Sequence, residues 1–150
     1  MNEHIDSGGP YLQAALICEK ILVEQDGVKS AIRIIDRLTR TVAAPDAPDE
    51  MVPFEKDLQL LIRLKSGRAR GRKTLSILVV KPSGESPGAQ THPVMFGGED
   101  DRGSDVLVNL LINFDQVGVY WFEISVDGSR LTRVPFRIVY MPQVITRRPS

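Results

Sequence analysis

Cysteine is nearly absent from this chain. Cys18 is the only one in 150 residues, which excludes an internal disulfide and argues against a cysteine-based structural zinc site. Histidine is almost as scarce, with His4 and His92 alone. A hydrolytic triad or an imidazole metal centre needs several such groups converging in space, so both are expected to be loop residues. An excess of one charge is missing too. Nineteen basic residues cancel nineteen acidic ones, leaving no global field to draw nucleic acid or an anionic membrane. There is no long hydrophobic run either. The stretch Leu12 to Val23 is interrupted by Gln13, Glu19 and Lys20 and is too short and polar for a spanning helix. Met1 to Pro10 is polar, carries Glu3 and Asp6 and lacks the basic start of a secretory signal. The expected compartment is the cytoplasm, and no membrane contact is expected.

What is present fits one folded domain. The apolar fraction of 42% and charged fraction of 25% are ordinary for a globular protein. A chain of this length buries roughly two thirds of its unfolded surface, so it needs no metal or cofactor to hold together. The clearest signal is Gly118 to Tyr140. Tyr120, Phe122, Ile124 and Val126 alternate with polar Glu123 and Ser125. A turn at Asp127-Gly128-Ser129-Arg130 follows, and Val134, Phe136, Ile138 and Tyr140 resume the alternation. Period two on both sides of a Gly-bearing turn predicts an antiparallel hairpin with one buried face.

The same alternation recurs at Asp57 to Lys65, Lys73 to Lys81 and Asp105 to Phe114. Val28 to Leu38 reads as one further β-rich run, and His92 to Phe96 as a short edge strand limited by Pro93. Tyr11 to Glu24 is open between helix, which its Ala, Leu, Glu and Lys favour, and strand. Strand is preferred because the turn Gln25-Asp26-Gly27 leads straight into the next β run. Thr41 to Glu55, with three prolines, reads as a long loop. Residues 1–10 and the basic stretch 141–150 are expected to be disordered tails around a domain at 11–140. The prediction is an all-β, two-sheet antiparallel sandwich of seven to eight strands, with a closed barrel as the alternative.

The run Phe114-Asp115-Gln116-Val117-Gly118-Val119-Tyr120 resembles the corner before strand F of immunoglobulin-like and fibronectin-like sandwiches. There a tyrosine hydroxyl ties back to upstream backbone. The resemblance makes Tyr120 the corner tyrosine and Gly118 and Gly128 structural residues. No cysteine pair spans the sheets and the lone Trp121 falls on a late strand, so the chain departs from antibody-type domains. A second resemblance lies in AALICEKILVEQDGVKSAIRIIDRLT (Ala14 to Thr39), GVYWFEISVDG and VPFRIVY. It is to a family of small uncharacterised bacterial proteins with no activity to carry over.

Each candidate site has a plainer reading beside it. Cys18 lies in an apolar context, where a thiol behaves as a small hydrophobe. The acidic loop Glu99 to Asp105 offers oxygens but lacks calcium-loop spacing and carries Arg102 at its centre. Asp36 interrupts an apolar run and pairs most simply with Arg33 or Arg37, or sits on a bulge. The basic turn with Arg68, Arg70, Arg72 and Lys73 suits phosphates, but no aromatic platform accompanies it, and such tips also keep sheet edges soluble. Trp121 is the most informative single side chain. Its parity points outward, with Pro135 and Arg137 as expected cross-strand neighbours and Arg137 as the expected stacking partner. Leu107, Leu111 and Arg133 share outward parity. Such a face has the composition of an interface centre; the plainer reading, of equal weight, is that the Thr41 to Glu55 loop or a terminal segment covers it. The expected work is non-catalytic protein association, through this face or through an exposed sheet edge, with a protein partner or a second copy, a dimer being the simplest version. Nucleic-acid binding through residues 67–73 and a small-ligand or carbohydrate module are the alternatives. No catalytic, metal-ligating or cofactor-binding residue is assigned.

Overall fold

Alternation of apolar and polar side chains carries through nearly every element of the computed structural model, which describes residues 8–146. Nine strands form: β1 (Tyr11–Val23), β2 (Lys29–Ile34), β3 (Arg37–Ala44), β4 (Phe54–Lys65), β5 (Arg70–Val80), β6 (Gly88–Gly97), β7 (Gly103–Phe114), β8 (Gly118–Val126) and β9 (Ser129–Val144). They build two sheets, of order β2-β1-β4-β7 and β3-β9-β8-β5-β6. Even-numbered Val108 and Leu110 of β7 pair with Leu60 and Leu58 of β4, and Phe114 with Phe54; Val108, Leu110, Phe114, Leu58, Leu60, Ile62 and Leu64 are all buried. Leu75 and Ile77 of β5, Tyr120, Phe122 and Ile124 of β8 and Phe136 and Ile138 of β9 close the core from the other sheet.

The strand order is immunoglobulin-like. In that fold one sheet runs A-B-E-D and the other G-F-C, with C′ added in variable-type domains. Here β1-β4-β7 takes the A-B-E places and β9-β8-β5-β6 the G-F-C-C′ places. β2 extends the first sheet beyond β1, and β3 extends the second beyond β9. Among the described residues no strand takes the D place, so β7 is an edge.

Four expectations need correction. The sandwich is not wholly antiparallel, because β3 runs parallel to β9 from Arg37↔Arg137 to Ala44↔Val144. Most of the chain separates these strands, ample length for the crossover that parallel pairing needs. The described residues form nine strands, because the run Val28 to Leu38 is two strands in different sheets. Arg33 adopts φ 55°, and the chain changes sheets at Ile35 and Asp36. The Ile35 N–H donates to the Ile17 carbonyl in one sheet, while the Asp36 carbonyl accepts from the Arg137 N–H in the other, both at 3.0 Å. No glycine or proline marks this switch. The strand continuing into β3 then shortens the expected loop, which begins after Ala44. Finally, Met141 to Val144 is not a tail: it pairs with Thr41 to Ala44, because β3 offers these residues an edge. Residues 147–150 and 1–7 of the expected tails lie outside the described residues. Gly8 accepts a hydrogen bond from the Arg68 N–H.

Tyr11 to Val23 is a strand, the preferred reading of that segment. Its far half does not lie flat. Past Cys18 the β1–β2 hairpin folds back over the outer face of the first sheet. Cys18, Ile21 and Leu61 form a second small core with Ala31. The Ile21 N–H donates to Gln59 Oε1. At the hairpin's end Lys29 reaches Asp105 on β7 at 3.0 Å.

Candidate functional site

The β8–β9 hairpin positions the candidate surface. Asp127 (φ 46°) and Gly128 (φ 83°) both take left-handed backbone between Val126 and Ser129, the two-residue turn whose twist matches the flanking strands. The Asp127 carboxylate accepts the Thr74 N–H at 2.8 Å, tying the turn to β5. At the other end Tyr120 is the corner tyrosine. The Asp115 and Gln116 N–H groups donate to its hydroxyl at 3.1 Å each, and the hydroxyl donates to Asp115 Oδ1 at 3.2 Å. Lys81 pairs with the same carboxylate at 2.9 Å and holds it below the usual carboxylate range. Gly118 turns the corner at φ 126° with Pro82 directly beside it.

Between these fixed ends, the odd residues of β8 face outward. Trp121 lies in register between Val80 of β5 and Pro135 of β9. The next row along is Leu78, Glu123 and Arg133, and the one on the other side is Val119 and Arg137, with Arg37 of β3 beyond. The guanidinium of Arg133, not Arg137, covers the indole, at 4.1 Å from the ring centroid. Both arginines are diagonal to Trp121, and sheet twist brings one diagonal closer than the other. Alternation alone does not say which. Glu123 is held by Arg130 at 3.2 Å and Arg37 by Asp36 at 3.4 Å. Among the described residues the Arg137 guanidinium meets no carboxylate. The face is therefore an apolar row of valine, tryptophan and proline under unneutralised positive charge.

The structure separates the other expected members of this surface. Leu107 and Leu111 sit on β7, in the opposite sheet, and share no face with Trp121. Parity within each strand was readable, but assignment of strands to sheets was not. Conversely, Arg70 and Arg72 have the outward parity of β5 and lie on the same sheet face as Trp121. Eight residues separate Arg72 from Val80, about 26 Å along the strand, so the two clusters are distinct. Arg68 is exposed, and Lys73 points to the other side, 3.6 Å from Asp127.

The remaining candidates are occupied by structural contacts. Cys18 is fully buried and burial pushes its thiol up, despite the opposing backbone hydrogen bonds. Asp36 is exposed and paired with Arg37. His92 lies on β6, 3.4 Å from Gln90, and His4 lies outside the described residues. In the acidic loop Arg102 pairs with Glu99. Asp105 is bound by Lys29 and Arg63 at 3.0 and 2.9 Å. Burial works upward on that carboxyl, but these two cations together hold it below its ordinary value. No group of three or more acidic, histidine or cysteine side chains among the described residues could hold a metal ion. No helix of these residues is long and apolar enough to cross a membrane.

One feature was missed in the sequence. A cleft of about 490 Å³ opens between the edges of the two sheets, lined by Ile77, Val79 and Tyr120 from one sheet and Leu110 and Ile112 from the other. It exists because β6 and β7 approach only at one end, where the Ser104 hydroxyl donates to the Met95 carbonyl at 2.8 Å.

Strand order, tyrosine corner and an outward tryptophan under arginine define an immunoglobulin-like β-sandwich with a candidate association face. The family model described as "Family of unknown function (DUF6941)" matches residues 13–139, and the chain belongs to that family. Two of the solved structures that show similarity illustrate the fold. One is an immunoglobulin-like protein from Pseudomonas aeruginosa, 11% identical, with TM-score 0.38, covering 89% of this chain and 98% of that one. The other is the alkylpurine DNA glycosylase AlkC of Pseudomonas fluorescens bound to DNA containing an abasic site analogue, 12% identical, with TM-score 0.37. That match covers 83% of this chain and 30% of the glycosylase chain. No curated protein matches the sequence significantly.

Proposed function

We propose that this chain is a non-catalytic association module that takes a protein partner on the outer face of β5, β8 and β9. One observation carries the reading. Trp121 stands in register between Val80 and Pro135, with the Arg133 guanidinium stacked on it and Arg137 uncommitted beside it. Interface centres favour tryptophan and arginine anchors over a desolvated apolar patch. The surplus arginines favour a partner that brings carboxylates. A nucleophile and base within reach of each other would argue for catalysis. Instead Cys18 is buried, and Asp36 and Asp105 are paired with cations. The free thiol fits a reducing compartment, and the cytoplasm is where we place its work.

The test is photo-crosslinking in the source cell. A photoreactive residue at position 135 should give discrete protein adducts that disappear when Arg133→Glu and Trp121→Ala are added. Adducts no more frequent than from the same residue at position 25, in the β1–β2 turn, would overturn the reading.

Single-strand nucleic-acid binding is the second reading, favoured by Arg70 and Arg72 sharing one exposed face. It requires salt-sensitive binding that Arg70→Gln and Arg72→Gln abolish. A carbohydrate platform is disfavoured because Arg133 occupies a face of the one tryptophan.

A further inference from the structure

The two sheets have four edge strands, and three are guarded. β2 carries Lys29 and Arg33, β3 carries Arg37 and Arg40, and β6 carries Pro93. Charges and proline on an edge deter pairing with another chain. β7 has no such device. Its one charge, Asp105, lies near the start of the strand, where Lys29 and Arg63 contact it. From Val106 to Phe114 it has no charge, proline or glycine, and its pairing with β4 runs without a bulge. Leu107 and Leu111 are 38% and 65% exposed on its outer side. Among the described residues no strand bonds the alternate N–H and C=O groups that do not face β4, since this is the vacant D place.

The sequence of β7 shows what fits there. Around Asn109 it reads Val-Leu-Val-Asn-Leu-Leu-Ile, which is nearly the same class of residue in both directions. We propose that a second copy of this chain adds its own β7 antiparallel to this edge, about a two-fold axis at Asn109. In that register Leu107 faces Leu111 of the other copy on the outer side. Val106 faces Ile112 and Val108 faces Leu110 on the inner side, and no like charges oppose. The Asn109 carboxamides meet at the axis. Gln59 already donates to each Asn109 Oδ1 at 2.8 Å, leaving each Nδ2 to donate across to the second lone pair of the opposite oxygen. The added strand's inner apolar residues lie along the mouth of the cleft that Ile77, Val79 and Tyr120 line. A two-fold contact requires a self-complementary patch, and this strand is one.

Light scattering tests the assembly and engineered cysteines test its register. The wild type should have twice the 16.7 kDa mass of one chain. Leu107→Lys with Leu111→Lys should give monomers, because each lysine then faces another. Leu107→Glu with Leu111→Lys should restore the dimer, because each glutamate then faces a lysine. That restoration separates lost pairing from lost folding. In a Cys18→Ser background, Asn109→Cys should oxidise to a covalent dimer, since directly opposed residues lie within disulfide reach. Leu107→Cys should not, because its counterpart is four residues away along the strand, about 13 Å. A monomeric wild type, or a dimer unaffected by the paired lysines, would overturn the proposal. So would equal crosslinking at both cysteine positions. The Trp121 variants leave this edge untouched, so the two surfaces succeed or fail separately.

Discussion

Tyr120→Phe isolates the tyrosine corner from the core it sits in. The ring is fully buried and packs edge-on against Phe114 at 5.0 Å, and phenylalanine keeps that contact without leaving a cavity. What is lost is the hydroxyl. It accepts from two backbone N–H groups and donates to Asp115. Each such bond contributes about 1 kcal/mol net, and a donor left without a partner costs more. Partial rehydration beside the exposed Asp115 limits the loss, so the substitution should cost about 2–3 kcal/mol. For a domain of this size that lowers Tm by roughly 5–10 °C. Urea unfolding followed by Trp121 emission measures it, and the slope m should stay constant while the midpoint falls. A loss under about 0.5 kcal/mol would mean that water replaces all three bonds, and the corner would then not be a stabilising device here.

Other outcomes follow from particular contacts. Asp105→Asn should destabilise the protein near neutral pH by weakening the contacts of Lys29 and Arg63. The folded carboxyl is held below its unfolded value, so its contribution is present above about pH 4 and is lost as pH falls through the folded value. The gap between variant and wild-type urea midpoints should close on acidification, and a constant gap would refute the pairing. Arg133→Ala should expose the indole, raising acrylamide quenching and shifting emission to the red; an unchanged spectrum would mean that the guanidinium does not cover the ring in solution. Gly118→Ala should destabilise measurably, because its φ of 126° is costly for any L side chain and the added carbon would meet Pro82 at 3.1 Å. An unchanged urea midpoint would contradict that geometry.

What was legible in the residues was local. Alternation marks the faces of β4, β5, β7, β8 and β9, and the corner run marks Tyr120. What was not legible depended on pairing between distant segments. The switch at Ile35 and Asp36 is set by hydrogen bonds to Ile17 and Arg137, and no turn residue announces it. Met141 to Val144 reads as a tail because its partners, Thr41 to Ala44, read as part of a loop. Leu107 and Trp121 share outward parity, but parity is defined only within a sheet. Arg133 and Arg137 sit on the two diagonals from Trp121 with the same parity, so alternation does not choose between them. The cleft follows from the missing D strand and is likewise a property of the whole order.

The two proposed surfaces depend on different physics, and salt separates them. The Trp121 face draws its partner with the charge of Arg133 and Arg137, and at 1 M salt the screening length falls to about 3 Å. Binding there should weaken steeply as salt rises. The β7 contact opposes no charges, and it gains from backbone hydrogen bonds and apolar burial, which salting-out ions strengthen. Its dimer should persist through the same titration and tighten in sulfate. Paired light scattering and partner-binding measurements across that range would show the two curves diverging. A dimer that dissociates with rising sodium chloride would mean that opposite charges hold it together, and would remove β7 from the account.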